Sequence, residues 1–491
     1  MFKGATLTLL LAASVLGAQS IPDRPEKLSY PSLSFQAPRT KDYAAKLKNG
    51  IPVYIAADPE GVPFVRLNVL VKGGSYLEPK GKEGLAGLAG QLWRDGGTAQ
   101  TPAEKLDERL EFLAARIDSG LGDTSGGLSM QVMEKDLKEG LDLFMQVLTQ
   151  PAFAQERLDL AKKEARQRLD TRNDNVAGIA GYQMGFLLHG EQHFSTAEMT
   201  QASLASITRE DLQAFQRRLL HPGNLVIAVS GKFQKKAMLD LLNRTLGSLK
   251  PGKGAEASPK VPAPAFTRKP GIYVVDKDVP QSMVQLAIPG LRRSDPDWHA
   301  AYVMNQILGG SGFTSRLMKK LRSDEGLTYG VGTRFSPGPH WKGDFSCSLQ
   351  TKNRSVAYAL RLILENIERI KQEPVGDEEL KVIQDGIVLG FPSNWSNKQA
   401  VARTFASEHL DGWPADWWAD FREKVRAVTK ADVQRVAKKY LDPSQAVILV
   451  VGKAAEAEAG DKDHPGLLKD VAKLPFSHLP LRDPLTMKPM K

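Results

Sequence analysis

Residues 207–232 read ITREDLQAFQRRLLHPGNLVIAVSGK, and 221 residues later the chain repeats itself as VTKADVQRVAKKYLDPSQAVILVVGK over 428–453. Thr208 and Thr429 match as helix N-caps, with Asp211 and Asp432 as the acidic members of a capping box. Pro222 and Pro443 match in the turn that follows, and Gly231 and Gly452 end the strand. Each copy predicts a helix, a proline turn and a buried strand. A weaker echo, TQPAFAQERL against QEPVGDEEL, precedes two long helical stretches. Self-similarity at this spacing makes the chain two copies of one α/β unit. At 491 residues it is also too long for a single core. The expected class is α+β: two homologous α/β units, each an antiparallel sheet packed with helices.

Residues 249–271 are rich in Pro, Ala and Lys without periodicity and read as a semi-stiff linker. One unit then occupies 41–248. The other occupies 272–454, opening with strands over Ile272–Val275 and Met283–Ile288. The tail, 455–491, carries many charges and prolines and is expected to be irregular. Residues 21–40, rich in Pro and Ser, are expected to be extended. Residues 1–20 read as a secretory signal, with Lys3, an apolar run from Ala5 to Leu16, and cleavage after Ala18 or Ser20. That run is too short to span a bilayer and no later segment is apolar enough, so no stable membrane span is expected. No cysteine stands in the signal to carry a lipid anchor. The only cysteine, Cys347, cannot form an internal disulfide, and export without disulfides suits a bacterial periplasm.

The net charge of +10 comes from 66 basic residues interleaved with 56 acidic ones. Without a basic tract or an RNA-type aromatic motif, nucleic acid is not an expected partner. A mildly basic surface leaves acidic peptides or a membrane face open.

In the first unit, Ile51–Ala56 and Phe64–Val71 read as strands, and Gly84–Trp93 as a helix whose apolar face is Leu85, Leu88, Ala89 and Leu92. Gly84, Gly87 and Gly90 form a small-residue stripe, each costing about 1 kcal/mol relative to alanine within a helix. Either another backbone packs against it or the stripe is a relaxed vestige. In the second unit, Ile307–Tyr329 (ILGGSGFTSRLMKKLRSDEGLTY) predicts a turn at Gly309, Gly310, Ser311 and Gly312. A short helix follows, N-capped by Thr314 or Ser315, with Phe313, Leu317 and Leu321 on its buried face and Lys319, Lys320 and Arg322 at its end. Gly326 stops it, and Leu327–Val331 reads as the start of a strand. Arg322 and Tyr329 are thus aimed at one point.

LGGSGFTSRL and RSDEGLTY resemble the second half of the pitrilysin/insulinase family of zinc metallopeptidases, which includes the mitochondrial processing peptidase. The resemblance runs from about Asp42 to Lys453. It implies that Arg322 and Tyr329 contact the substrate carbonyl, where a guanidinium and a phenol hold an oxygen that gains charge during peptide hydrolysis. It places Gly309, Gly310, Gly312 and Phe313 in the substrate-binding loop. It also implies a zinc motif, H-x-x-E-H after Gly-Leu-Ala, in the first unit. Aligned on Gly84-Leu85-Ala86, those positions fall on Gly87, Gly90 and Gln91. Glycine has no donor and a glutamine amide is a poor zinc ligand. The third ligand position falls near Gln167 or Arg168, with Glu164 and Asp170 the nearest acids. No metal or other cofactor is therefore expected in this chain.

Three functional readings follow. The chain is the zinc-lacking subunit of an exported heteromeric metallopeptidase, a homologous partner bringing zinc and this chain bringing Arg322 and Tyr329 in trans to a peptide substrate. Alternatively it is an inactive scaffold or peptide-binding member. Thirdly it is a stand-alone hydrolase with a displaced metal at His189, Glu191 and His193. Trp413, Trp417 and Trp418, in a stretch read as helical, are either core or an exposed partner surface.

Overall fold

The computed structural model describes Arg24, Leu28 and residues 34–490. The signal sequence and most of the extended segment lie outside these residues.

The first unit folds around a six-stranded sheet: β1 (Ala44–Lys46), β2 (Pro52–Ala57), β3 (Phe64–Lys72), β4 (Arg116–Leu121), β5 (Ser125–Met133) and β6 (Leu225–Gly231), in the order β1-β2-β6-β3-β5-β4. The second repeats it with β7 (Gly271–Asp276), β8 (Gln281–Pro289), β9 (Val331–Ser336), β10 (Asp344–Lys352), β11 (Val447–Gly452) and β12 (Phe476–Leu479), in the order β12-β7-β11-β8-β10-β9. The five strands β2-β6-β3-β5-β4 match β7-β11-β8-β10-β9 in order, whereas the edge strands differ, β1 coming from the start of the chain and pairing antiparallel, β12 from its end and pairing parallel. Both sheets are mixed rather than purely antiparallel, because β2 pairs parallel with β6, and β7 pairs parallel with both β11 and β12.

The repeat seen in the sequence supplies the central strands. Thr208 and Thr429 cap the helices Arg209–Leu219 and Lys430–Tyr440, with Asp211 and Asp432 closing the capping boxes as expected. Each helix leads through a proline turn into a buried strand, β6 or β11. Strand β3 alternates apolar residues onto one face, where Val65, Leu67, Val69 and Val71 are buried under helices of the same unit. A core built this way closes each unit on that face only.

The other face of each sheet is covered by the opposite unit. The Lys398–Leu410 helix, from the second half of the chain, lies across β2, β6 and β3 of the first sheet. Phe405 on this helix packs against Tyr54 at 6.0 Å, and the Tyr54 hydroxyl pairs with His409 Nδ1 at 2.9 Å. Reciprocally, the Val176–His189 helix packs on β11 and β8, joining Ile179, Ala180 and Leu188 to Val447, Leu449 and Val451. This exchange makes residues from Ala37 onward one compact body. Of the expected linker, residues 249–270 form no helix or strand, and Gly271 already opens β7.

The tail departs from expectation. Instead of being irregular throughout, it contributes a short helix, Ala454–Ala459, and the edge strand β12. It then returns to the first unit, where Arg172 donates to the Pro484 carbonyl (2.9 Å), Asn173 to Arg482 O (2.7 Å) and Gln183 to Pro480 O (3.0 Å). One of its charged side chains, Arg482, forms an ion pair with Glu191 of the first unit. The tryptophans also differ: Gly412 (φ +72°) and Pro414 break the stretch into turns, leaving Trp413, Trp417 and Trp418 half-buried. The Arg293 guanidinium lies 3.5 Å from the Trp413 ring centre and 4.5 Å from that of Trp418, and burial pushes it down to about 10.

Candidate functional site

The Leu85–Asp95 helix carries the three positions where a zinc motif would stand. Gly84 precedes it in the left-handed region (φ +100°), so it is a helix-entry residue rather than part of the stripe. Glu78 anchors this entry, its carboxylate accepting N–H bonds from Ala86 (2.6 Å) and Gly84 (3.3 Å). Burial outweighs both bonds and pushes Glu78 up to about 7. At Gly87 the space for a side chain is empty, but at Gly90 a methyl group would come within 2.3 Å of the Leu121 nitrogen. The neighbour is edge strand β4, fixed there by Ser119, whose hydroxyl donates to Gly90 O (2.6 Å) and accepts from Arg94 N (3.1 Å). The stripe is therefore explained by close packing at Gly90 alone.

In the second unit the loop glycines are wound differently from a simple turn. The Trp298–Asn305 helix continues through a π-helical turn, Gln306–Gly310, before Gly312 (φ +61°) reverses the chain. Gly309 is buried against Thr333, and a methyl group there would meet its Oγ1 at 2.6 Å. The next helix is π-wound from Met318 to Asp324. Ser315 sits at its start, yet its hydroxyl donates back to Gly312 O (2.7 Å) instead of capping. Leu317 and Leu321 are buried as expected, but the turn at 312–314 swings Phe313 outward, 67% exposed.

Tyr329 does not begin a strand, since β9 starts at Val331. Thr328 Oγ1 takes both the N–H (3.1 Å) and the carbonyl (2.9 Å) of Gly330, satisfying that backbone locally. Tyr329 is left 87% exposed. Arg322 reaches it as the spacing predicts: Nη1 donates to Tyr329 O at 2.9 Å, and the guanidinium lies 4.4 Å from the Tyr329 ring and 4.6 Å from the Phe313 ring. The cluster Phe313–Arg322–Tyr329 is an aromatic-flanked cation on the surface. Among the described residues no hydrogen bond, ion pair or ring contact joins it to the Leu85–Asp95 helix.

Residues 54–180 match the family described as insulinase (peptidase family M16), and residues 206–387 match the peptidase M16 inactive domain. The chain belongs to peptidase family M16. This M16 chain is 26% identical over 358 residues to the non-peptidase homolog YmxG of Helicobacter pylori, covering 68% of this chain and 82% of that one. It is 21% identical over 362 residues to an uncharacterized zinc protease of Streptomyces coelicolor, covering 72% and 78%. Its fold matches a peptidase M16 inactive domain from Pseudomonas fluorescens (TM-score 0.75, 24% identity, 84% of this chain and 98% of that one). It also matches the periplasmic protease PqqL from Escherichia coli (TM-score 0.71, 18% identity, 92% and 48%).

Zinc, which the family resemblance implies, does not fit this M16 chain. Gly87 offers no donor, Gln91 only an amide, and a side chain at Gly90 has no room beside β4. Among the described residues no three His, Cys, Asp or Glu are grouped so as to hold a metal ion. The displaced trio is committed elsewhere. His193 Nδ1 pairs with Ser195 Oγ (2.7 Å) and Nε2 with Pro262 O (3.2 Å), while Glu191 is taken by Arg482. His189 and His193 instead pack with Trp341, a residue of the other unit. Glu164, the acid nearest the third ligand position, is exposed on the Gln155–Asp170 helix.

Proposed function

We propose that this M16 chain is the zinc-lacking subunit of an exported, heteromeric metallopeptidase, with Arg322 and Tyr329 acting on a peptide held by a homologous zinc-bearing partner. The observation that carries this reading is the contrast between the two units. The zinc positions hold no ligand, Gly87 being open but bare, Gly90 closed off by β4 and Gln91 an amide, whereas Arg322 stands between two exposed rings, Phe313 and Tyr329, with nothing from its own first unit for them to serve. Aromatic and Arg side chains in this setting suit recognition by another chain. In a peptidase complex the guanidinium and phenol would hold the carbonyl oxygen as it gains charge, which is worth roughly 10²–10³ in rate for one such donor. Export is supported by the apolar N-terminal run and by the periplasmic setting of PqqL.

The test is peptide hydrolysis by this chain alone, by a homologue that carries H-x-x-E-H alone, and by the mixture. Activity is expected in the mixture, and Arg322→Ala or Tyr329→Phe should lower its kcat/KM by about 10²-fold. Equal activity of wild-type and variant mixtures would reject the role in trans.

A second reading, an inactive scaffold or peptide-binding member, is favoured by a separate observation. A cavity of about 400 Å³ opens between the polar face of β3, β5 and β4 (Asn68, Ser125, Ser129, Asp118) and the Lys398–Leu410 helix (Arg403, Ser407). Peptide binding that survives both substitutions, in a complex without hydrolysis, would select it.

A further inference from the structure

The cavity of about 400 Å³ between the first sheet and the Lys398–Leu410 helix is lined by polar groups that the protein itself leaves without partners. Strand register builds its floor. Asn68, Ser129 and Asp118 stand side by side across β3, β5 and β4, and Leu70, Gly127 and Gly120 form the next row on the same face. Gly127 (φ +153°) has no room for a side chain, since a methyl group would meet Val69 O at 2.2 Å, whereas at Gly120 the space is open. Beyond Leu70 the second row is therefore a bare furrow beside a polar one.

Asn68 is 9% exposed, yet its amide bonds to no described residue and opens onto the cavity instead of being sealed in the core. An amide buried this far is unfavourable until something in the cavity matches it. Water answers an amide. It does not answer the charges that stand above it.

Three charged residues line the cavity, and Asp118 is already matched, its carboxylate accepting from Arg116 Nε at 2.7 and 2.9 Å. The side chains of Arg403 and Asp411 make no ion pair or hydrogen bond with any described residue. Asp411 is half-buried, and burial pushes its carboxyl up although His340, Arg293 and Lys72 act on it from beyond pairing distance. Arg403, Ser407 and Asp411 follow at four-residue steps along the helix and its C-cap, so they share one face. By helical rise the two charged residues stand about 12 Å apart at Cα. All three also border a neighbouring cavity beside Arg293 and Trp418, so this rim is open to entry.

A ligand that meets both charges at once has a cation at one end, an anion at the other and neutral hydrogen-bonding groups between them. An extended tripeptide, about 10 Å long, has that form. We propose that this cavity binds short peptides by both free ends, three residues being the length that fits. The terminal carboxylate pairs with Arg403, the terminal ammonium with Asp411, and the peptide groups between them bond to Asn68, Ser129 and Ser407. Small side chains lie over the bare furrow. This rests on the peptide-binding reading of the same cavity and narrows it to short, free-ended peptides; it needs neither a zinc-bearing partner nor Arg322.

The test is calorimetric titration of the full chain with trialanine, with N-acetyl-trialanine, which lacks the ammonium, and with trialanine amide, which lacks the carboxylate. Saturable one-to-one binding of trialanine is expected, with each blocked peptide weaker by about tenfold, the loss of one charged hydrogen bond. Arg403→Gln should bind trialanine and its amide alike, and Asp411→Asn should bind trialanine and its N-acetyl form alike. Neither side chain holds any other part of the chain, so both variants should keep the wild-type thermal transition. Equal binding of all three peptides by the wild-type chain overturns the free-ended assignment and leaves the broader peptide-binding reading standing. Absence of saturable binding of any of them up to millimolar concentration overturns both.

Discussion

Gly87→Ala and Gly90→Ala lie three residues apart on one helix and each adds one methyl group, yet they should move stability in opposite directions. Helix preference favours alanine by about 1 kcal/mol at both positions. At Gly87 nothing lies within 4 Å of the added carbon, so that preference stands alone. The variant should gain about 0.5–1 kcal/mol. At Gly90 the added carbon would meet Leu121 N at 2.3 Å, Gly120 C at 2.9 Å and Gly120 Cα at 3.1 Å, all of them main-chain atoms that cannot rotate away. An ordinary contact needs about 3.5 Å or more, so β4 must retreat by roughly 1 Å. Retreat weakens both Ser119 bonds, at about 1 kcal/mol each, and overpacking adds about 1–3 kcal/mol. After the helix preference is set against these costs, Gly90→Ala should lose about 2–4 kcal/mol. Urea unfolding followed by far-UV circular dichroism reads the difference as midpoints displaced to either side of wild type. Should Gly90→Ala prove as stable as Gly87→Ala, β4 is not seated on the helix and the packing explanation of the lost zinc motif is wrong. The same reasoning predicts that the triple variant Gly87→His, Gly90→Glu, Gln91→His will not retain stoichiometric zinc by elemental analysis.

Three further outcomes are expected. Glu78 is pushed up to about 7 in the fold, mainly by burial, against 4.5 for a free side chain, so the folded chain holds the proton more tightly. The stability this brings is full below pH 4.5 and lost as pH rises through 7. The stability of Glu78→Gln relative to wild type should therefore climb between pH 4.5 and 8, by on the order of 3 kcal/mol in denaturant titrations. A pH-independent difference would refute the assignment. Removing residues 480–491 deletes the bonds to Arg172, Asn173 and Gln183, and limited proteolysis should then cut the chain several times faster under native conditions. An unchanged rate would show that the tail does not restrain the units. Burial pushes the Cys347 thiol up to about 12, so a disulfide reagent at pH 8 should leave it unmodified until denaturant is added.

Much of the architecture was legible without coordinates because it rests on local chemistry. Capping boxes at Thr208 and Thr429, alternation along β3 and the proline turns depend on neighbours a few residues away, and all stand where the pattern put them. The meeting of Arg322 with Tyr329 was also readable, since seven residues bridged by one helix end leave few ways apart. Phe313 and the onset of β9 depart from the sequence pattern, because Gly312 resets the helical register and Thr328 takes the backbone bonds a strand would need.

By itself the sequence determined that two like units exist, that each carries one buried repeat strand, and that the zinc positions hold no ligand; these follow from residue identity and short-range periodicity. Only the tertiary structure decided that each unit is covered by a helix of the other, that the tail supplies β12, that Gly90 is held empty by β4 whereas Gly87 is open, and that Asn68 faces a cavity without a partner for its amide. Those outcomes depend on contacts between residues tens to hundreds of positions apart, where the packing of whole elements, and not the preference of any one residue, sets which surfaces meet.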